Sequence, residues 1–244
     1  MPWDFWLIFF VLAVLLPWRG RARLKKLLEV PRITSQERLL LYTSTILFQW
    51  VAAAVVAWRA WARGLTPELL GLLVHGAARV CLAAIVGATA LGAFQWFNLR
   101  RLGHGARRAS SYMQPIAERI LPQSPKELSV YLLLTLTAGV CEEFLYRGFA
   151  MAALLRVGLP AWSVVLLSSV LFGLAHLYQG RGGFLSTLVI GTVFGSARIA
   201  YDGFAAVAVW HVAVDAVAGI AGPRYVLRPL PSAKKDEIPG LTES

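Results

Sequence analysis

The sequence predicts an all-α fold, a polytopic transmembrane bundle of about seven helices, or eight if a short segment at 66–76 also enters the membrane. Three observations carry this. Of 244 residues, 57% are apolar and only 15% charged, with a mean hydropathy of +0.61, whereas a soluble domain usually has about 25% charged residues. Uncharged runs recur, most of them near the ~20 residues needed to cross a hydrocarbon core. The basic residues lie mostly in short blocks between those runs, as expected of loops facing anionic lipid and the cytoplasm.

The first run, 3–18, is apolar apart from Asp4 and is followed by Arg19, Arg21, Arg23, Lys25 and Lys26. A cleaved leader carries its positive charge before the apolar stretch, so a retained first span with its N-terminus outside is expected. Further spans are expected at 39–58, 77–98, 129–153, 161–178, 183–200 and 203–221. The third and sixth are rich in Gly and Ala, and Gly191 with Gly195 forms a small-xxx-small pattern of the kind that lets helices approach closely. Between the third and fourth spans, Tyr112 to Leu121 is amphipathic and is expected to lie along the inner interface. From Arg224 onward, Pro229, Pro231, Lys234, Lys235 and Asp236 read as a disordered end. The chain thus divides into N-terminal spans with an interfacial loop (1–128), a helical core (129–221) and a short cytoplasmic tail (222–244).

With the N-terminus outside, the inner segments hold 18 of the 24 Lys and Arg residues, which favours an N-out, C-in orientation. The net charge of +11 does not point to nucleic acid, because no basic stripe with interleaved stacking aromatics is present. The charge pattern points to membrane lipids as partners. Cys81 and Cys141 lie in apolar runs without CxxC spacing, which argues against a disulfide framework or a structural zinc site.

Ionisable groups within a span are costly and usually face a bundle interior or a water cavity. They concentrate in the second half. Glu142, Glu143 and Arg147 lie in the fourth span, His176 in the fifth, and His211 and Asp215 in the seventh. Glu143 and Arg147 are four apart and can pair. Glu142 is turned about 100° from Glu143 and points elsewhere, with Tyr146 one turn further along its face. Phe172 shares a face with His176, as His211 does with Asp215. If these stripes converge, hydrolysis is the chemistry available. A carboxylate can take a proton from water, an imidazole can hold that water, and a second imidazole can donate to an oxyanion. Asp215 can orient His211 or, if protonated, donate itself. Cys141, beside Glu142, reads as packing volume rather than a nucleophile.

These residues form an EExxxR motif (Glu142-Glu143-Phe144-Leu145-Tyr146-Arg147), an FxxxH motif (Phe172 to His176) and an Hxxx(N/D) motif (His211 to Asp215). Over about residues 129–219, their order and separation resemble the CAAX protease and bacteriocin-processing (CPBP, or Abi) family of intramembrane proteases. The resemblance implies an endopeptidase cutting a membrane-associated protein or peptide near its C-terminus or in a membrane-associated segment. Glu142 and His176 would activate water, His211 and Asp215 would form or support the oxyanion site, Glu143 and Arg147 would be a structural ion pair, and Phe172 with Tyr146 would line the pocket. The prenyl-protein endopeptidase branch ends its last motif in Asn, where this chain has Asp215; an ionised Asp cannot donate to an oxyanion, so orienting His211 is the more defensible role.

Two alternatives stay open. Zinc held by Glu142, His176 and His211 competes with a cofactor-free site, because two His and a carboxylate form a known catalytic set; the spacing is not HExxH, and the reading favours no metal. A non-catalytic immunity protein, scaffold or transporter could use the same cluster for ion pairs or proton movement. The abundance of Arg, Ala, Leu, Val and Gly suits a high-GC bacterium, so the expected location is a bacterial inner membrane.

Overall fold

The computed structural model describes residues 1–104 and 113–227. Every regular element among them is helical. The ten α-helices are α1 (Trp3–Phe10), α2 (Leu16–Glu29), α3 (Ser35–Ala62), α4 (Ala77–His104), α5 (Met113–Ile120), α6 (Pro125–Glu143), α7 (Met151–Arg156), α8 (Ala161–Ala175), α9 (Gly180–Ala200) and α10 (Ala205–Val226). A π-helical stretch, Val11–Leu15, joins α1 to α2, and a second, Phe144–Ala150, joins α6 to α7. Among the described residues, six continuous helices are long and apolar enough to cross a membrane, and α8 is a shorter apolar helix. This is the expected polytopic bundle, and the protein is an integral, multi-pass membrane protein.

Several boundaries differ from expectation for physical reasons. The first helix runs on to Glu29 instead of ending near 18, because its basic continuation is itself a good helix former. The span expected at 161–178 stops at Ala175, followed by a 3-10 turn at Leu177–Gln179. Gly180, at φ 82°, then starts the next helix. The 15 residues of α8 reach about 22 Å at 1.5 Å per residue, less than a hydrocarbon core of ~30 Å. The segment 66–76 is a loop of turns rather than an eighth helix. Its Leu70 is buried in the core, and the Gly71 carbonyl accepts from the Phe204 N–H at 3.2 Å. Residues 113–120 of the expected interfacial stretch are the helix α5, whereas Tyr112 lies outside the described residues. Helix α10 continues through Pro223 to Val226; residues 228–244 of the expected tail also lie outside the described residues.

Helix α3 begins at a capping box in which Thr34 accepts from the Glu37 N–H and Glu37 accepts from that of Thr34. Helix α6 begins with Ser124 as N-cap and Pro125 in the first turn. The α6–α7 span is the centre of the bundle: half of its most apolar window is buried, against 11% for α4. Helix α3 packs on α6, α10 lies between α6 and α4, and α8 pairs with α9. Trp3, Leu47, Ile85 and Val189 point outward, as side chains facing lipid should.

Polar ties hold the N-terminal spans to this core. Asp4, buried in the first helix, accepts from Arg59 Nε at 2.9 Å and Arg63 Nε at 3.0 Å on α3 and its C-terminus. At the other end, Arg38 meets both Glu127 oxygens at 3.1 Å and donates to the carbonyls of Glu118 and Arg119. Arg119 in turn donates to the Leu27 and Val30 carbonyls. These bonds anchor α5 against the ends of α2 and α3 and satisfy charges that apolar surroundings would otherwise penalise.

Candidate active site

The site forms where α6 changes its winding. Glu142 and Glu143 end α6, and the next seven residues, Phe144–Ala150, are π-helical. π-Helical turns are rare and recur at functional sites. All seven are buried, Arg147 among them.

Glu143 is the buried anchor. Its Oε1 accepts from Arg147 Nη1 at 3.1 Å and lies 2.8 Å from His211 Nδ1 on α10. A ring nitrogen this close to a carboxylate oxygen carries the hydrogen, so Nδ1 donates and Nε2 faces the other way. Glu143 therefore serves two donors on two helices, rather than Arg147 alone as expected. The Arg147 guanidinium also donates to the Gly191 carbonyl at 3.2 Å and stacks 4.4 Å from the Phe172 ring centre and 5.5 Å from that of Phe194. Gly191 matters by its lack of a side chain: a Cβ there would stand 3.3 Å from Arg147 Nη2 and 3.2 Å from Ser169.

Phe172 joins the three motifs. Its ring contacts Tyr146 (5.3 Å between centres), His176 (4.6 Å) and His211 (5.9 Å). Phe172 is itself buried, and buried Tyr146 stands beside it. His176 is not within a helix. It caps the C-terminus of α8 at φ −98°, ψ 9°, and its Nδ1 donates to the Phe172 carbonyl at 2.9 Å. That bond selects the Nδ1–H tautomer and leaves the Nε2 lone pair available. The break between α8 and α9 places irregular backbone beside the polar cluster, where a membrane protein can tolerate it.

Glu142 is half-buried and lies within electrostatic reach of His176, His211 and Asp215. Asp215, one turn beyond His211, keeps 38% of its side chain exposed, with Oδ2 3.5 Å from His211 Nε2. That separation exceeds ordinary N–H···O lengths, so the tighter orienting contact on His211 comes from Glu143. Cys141 is buried in the apolar core.

Two neighbours escaped the sequence reading. Gln49 of α3 donates its Nε2 hydrogen to Glu142 Oε1 at 2.7 Å. The only signal was an uncharged amide inside an apolar run. Tyr178, in the turn after His176, stacks near its ring at 6.0 Å between centres, and Gln179 donates to the tyrosine hydroxyl at 3.1 Å. The Leu177–Tyr178 pair had read as a continuation of the span.

Among the described residues, no three His, Cys, Asp or Glu side chains lie close enough together to share a metal ion.

Residues 124–217, a stretch containing all three motifs, match the family model described as Type II CAAX prenyl endopeptidase Rce1-like. No curated protein and no solved structure matches the chain. This C-terminal segment, which holds the whole Glu142–His176–His211 cluster, is thus similar to the CAAX prenyl endopeptidases.

Proposed function

We propose that this protein is an intramembrane endopeptidase that hydrolyses a peptide bond of a membrane-associated protein or peptide with water activated by Glu142 and His176. The observation that supports it best is the state of His176. Its Nδ1 is committed to the Phe172 carbonyl, so Nε2 can hold a water beside the Glu142 carboxylate. Glu142 takes a proton from that water, and the hydroxide adds to the scissile carbonyl carbon. His211, held by Glu143 through Nδ1, donates its Nε2 hydrogen to the carbonyl oxygen as it becomes an oxyanion. The proton on Glu142 then passes to the leaving nitrogen, the C–N bond breaks, and a carboxylic acid and an amine result. Asp215 sits at the exposed edge of His211 and balances its charge. The family match favours a C-terminal, CaaX-type peptide as substrate, and the distribution of basic residues favours an N-out, C-in orientation, in a bacterial inner membrane.

The test uses purified protein in detergent with quenched fluorescent peptides ending in a CaaX sequence, one farnesylated and one not. Glu142→Gln is expected to lower kcat by about 10²–10⁴-fold, the usual loss for a general base, with a strong chelator leaving the wild type unchanged. Activity that survives in Glu142→Gln, or vanishes with chelator and returns with zinc, would contradict the mechanism.

A further inference from the structure

The N-terminal spans lie outside the matched family segment, which begins at residue 124, yet one of their side chains reaches the candidate nucleophile-activating carboxylate. From the 2.7 Å contact between Gln49 Nε2 and Glu142 Oε1, we infer that Gln49 on α3 is a positioning residue of the hydrolytic site, holding the Glu142 carboxylate by one oxygen and leaving the other for water. This rests on the reading of Glu142 as the base.

Three observations support it. The bond is short and its acceptor is a carboxylate, the stronger class of hydrogen bond. It crosses between helices that pack along each other, α3 and α6, so backbone packing fixes both ends. Gln49 Oε1, the other half of the amide, is buried without a hydrogen-bond partner among the described residues. The planar amide places this acceptor next to the donor that holds Glu142, where it suits a hydrogen of the reacting water or an amide N–H of the substrate. A buried acceptor left unmatched costs stability, and a Gln kept only for packing would be replaced by an apolar side chain without loss. Of the neighbouring imidazoles, His176 directs its Nδ1 hydrogen to the Phe172 carbonyl, and the Nε2 hydrogen of His211 is the one assigned above to the oxyanion.

Gln49→Met, which keeps length and volume but removes both polar atoms, separates positioning from packing. Its first readout needs no substrate. Dicyclohexylcarbodiimide attacks protonated carboxyl groups in apolar surroundings, and its adduct on Glu142 is read by peptide mass. Without the Gln49 donor the carboxylate form loses a charge-assisted hydrogen bond, so labelling at Glu142 should accelerate ~10-fold. With the farnesylated peptide, kcat should fall ~10-fold or more while KM and the thermal midpoint stay unchanged. Gln49→Glu is the partial rescue: one proton shared between the two carboxyl groups restores the donor, so its activity should recover toward acid pH, which a packing role would not produce. Labelling in Gln49→Met no faster than in wild type overturns the inference. Glu142→Gln separates the two claims. If it is as active as wild type, the reading of Glu142 fails; if it is inactive while Gln49→Met has wild-type kcat and labelling, the inference alone fails.

Discussion

Glu143 Oε1 lies 2.8 Å from His211 Nδ1 while also accepting from Arg147 at 3.1 Å, so one buried carboxylate oxygen links the EExxxR helix to the helix of the last motif. The acidic pair thus divides its work. Glu143 is sealed in the protein with two donors, and Glu142, half-buried on the adjacent face, takes its hydrogen bond from Gln49.

That asymmetry predicts unequal effects. Glu143→Leu leaves Arg147 without its counter-charge and His211 Nδ1 without its acceptor, and should cost about 3–5 kcal/mol, the usual loss on breaking a buried pair. Arg147→Met leaves Glu143 still paired with His211 and should cost clearly less. Arg147→Lys should not rescue fully, because one ammonium cannot match a planar guanidinium that bonds both Glu143 and the Gly191 carbonyl. Thermal inactivation midpoints in detergent rank the three; equal midpoints for Glu143→Leu and Arg147→Met would contradict the shared anchor.

Packing should control chemistry at Gly139. A Cβ there would stand 2.9 Å from the Ala208 carbonyl oxygen and collide with Val212, forcing α6 away from α10 just where Glu143 must reach His211. Gly139→Ala is therefore expected to lower activity at least tenfold, in line with ~1 Å misplacements costing up to 10²-fold. Gly182→Ala is the control, because a Cβ at Gly182 meets nothing within 4 Å.

The two ends of the last motif should differ in weight. His211→Ala is expected to reduce kcat by about 10²–10³-fold, as loss of an oxyanion donor does. Asp215→Asn, at a longer and more exposed contact, should stay within about threefold of wild type, because an amide oxygen can still accept from His211 Nε2 and the charge it removes is partly solvated. Steady-state kcat with the same peptide compares them. A larger loss in Asp215→Asn than in His211→Ala would reverse their roles.

Much of this was legible in the sequence. Charges that do not belong in lipid marked Glu142, Glu143, Arg147, His176, His211 and Asp215, and helical spacing put Glu143 against Arg147. What was hidden had specific causes. Gln49 is neutral, so neither hydropathy nor charge singles it out, and its role depends on α3 packing against α6. The bond from Glu143 to His211 spans 68 positions and has no local signature. The break at His176 was masked because Leu177 and Tyr178 keep the run apolar. The weak small-xxx-small pattern at Gly191 acquires meaning only once Arg147 is seen to donate to its carbonyl.

The most direct test of the central claim is a double-mutant cycle on Glu142 and His176, with kcat measured on the farnesylated peptide for Glu142→Gln, His176→Ala and the pair together. If both side chains act on one water, removing either disables the same step, and the double variant will be no slower than the worse single variant. Losses that multiply would mean that the two residues act independently, and either single variant retaining wild-type kcat would remove that residue from the reaction.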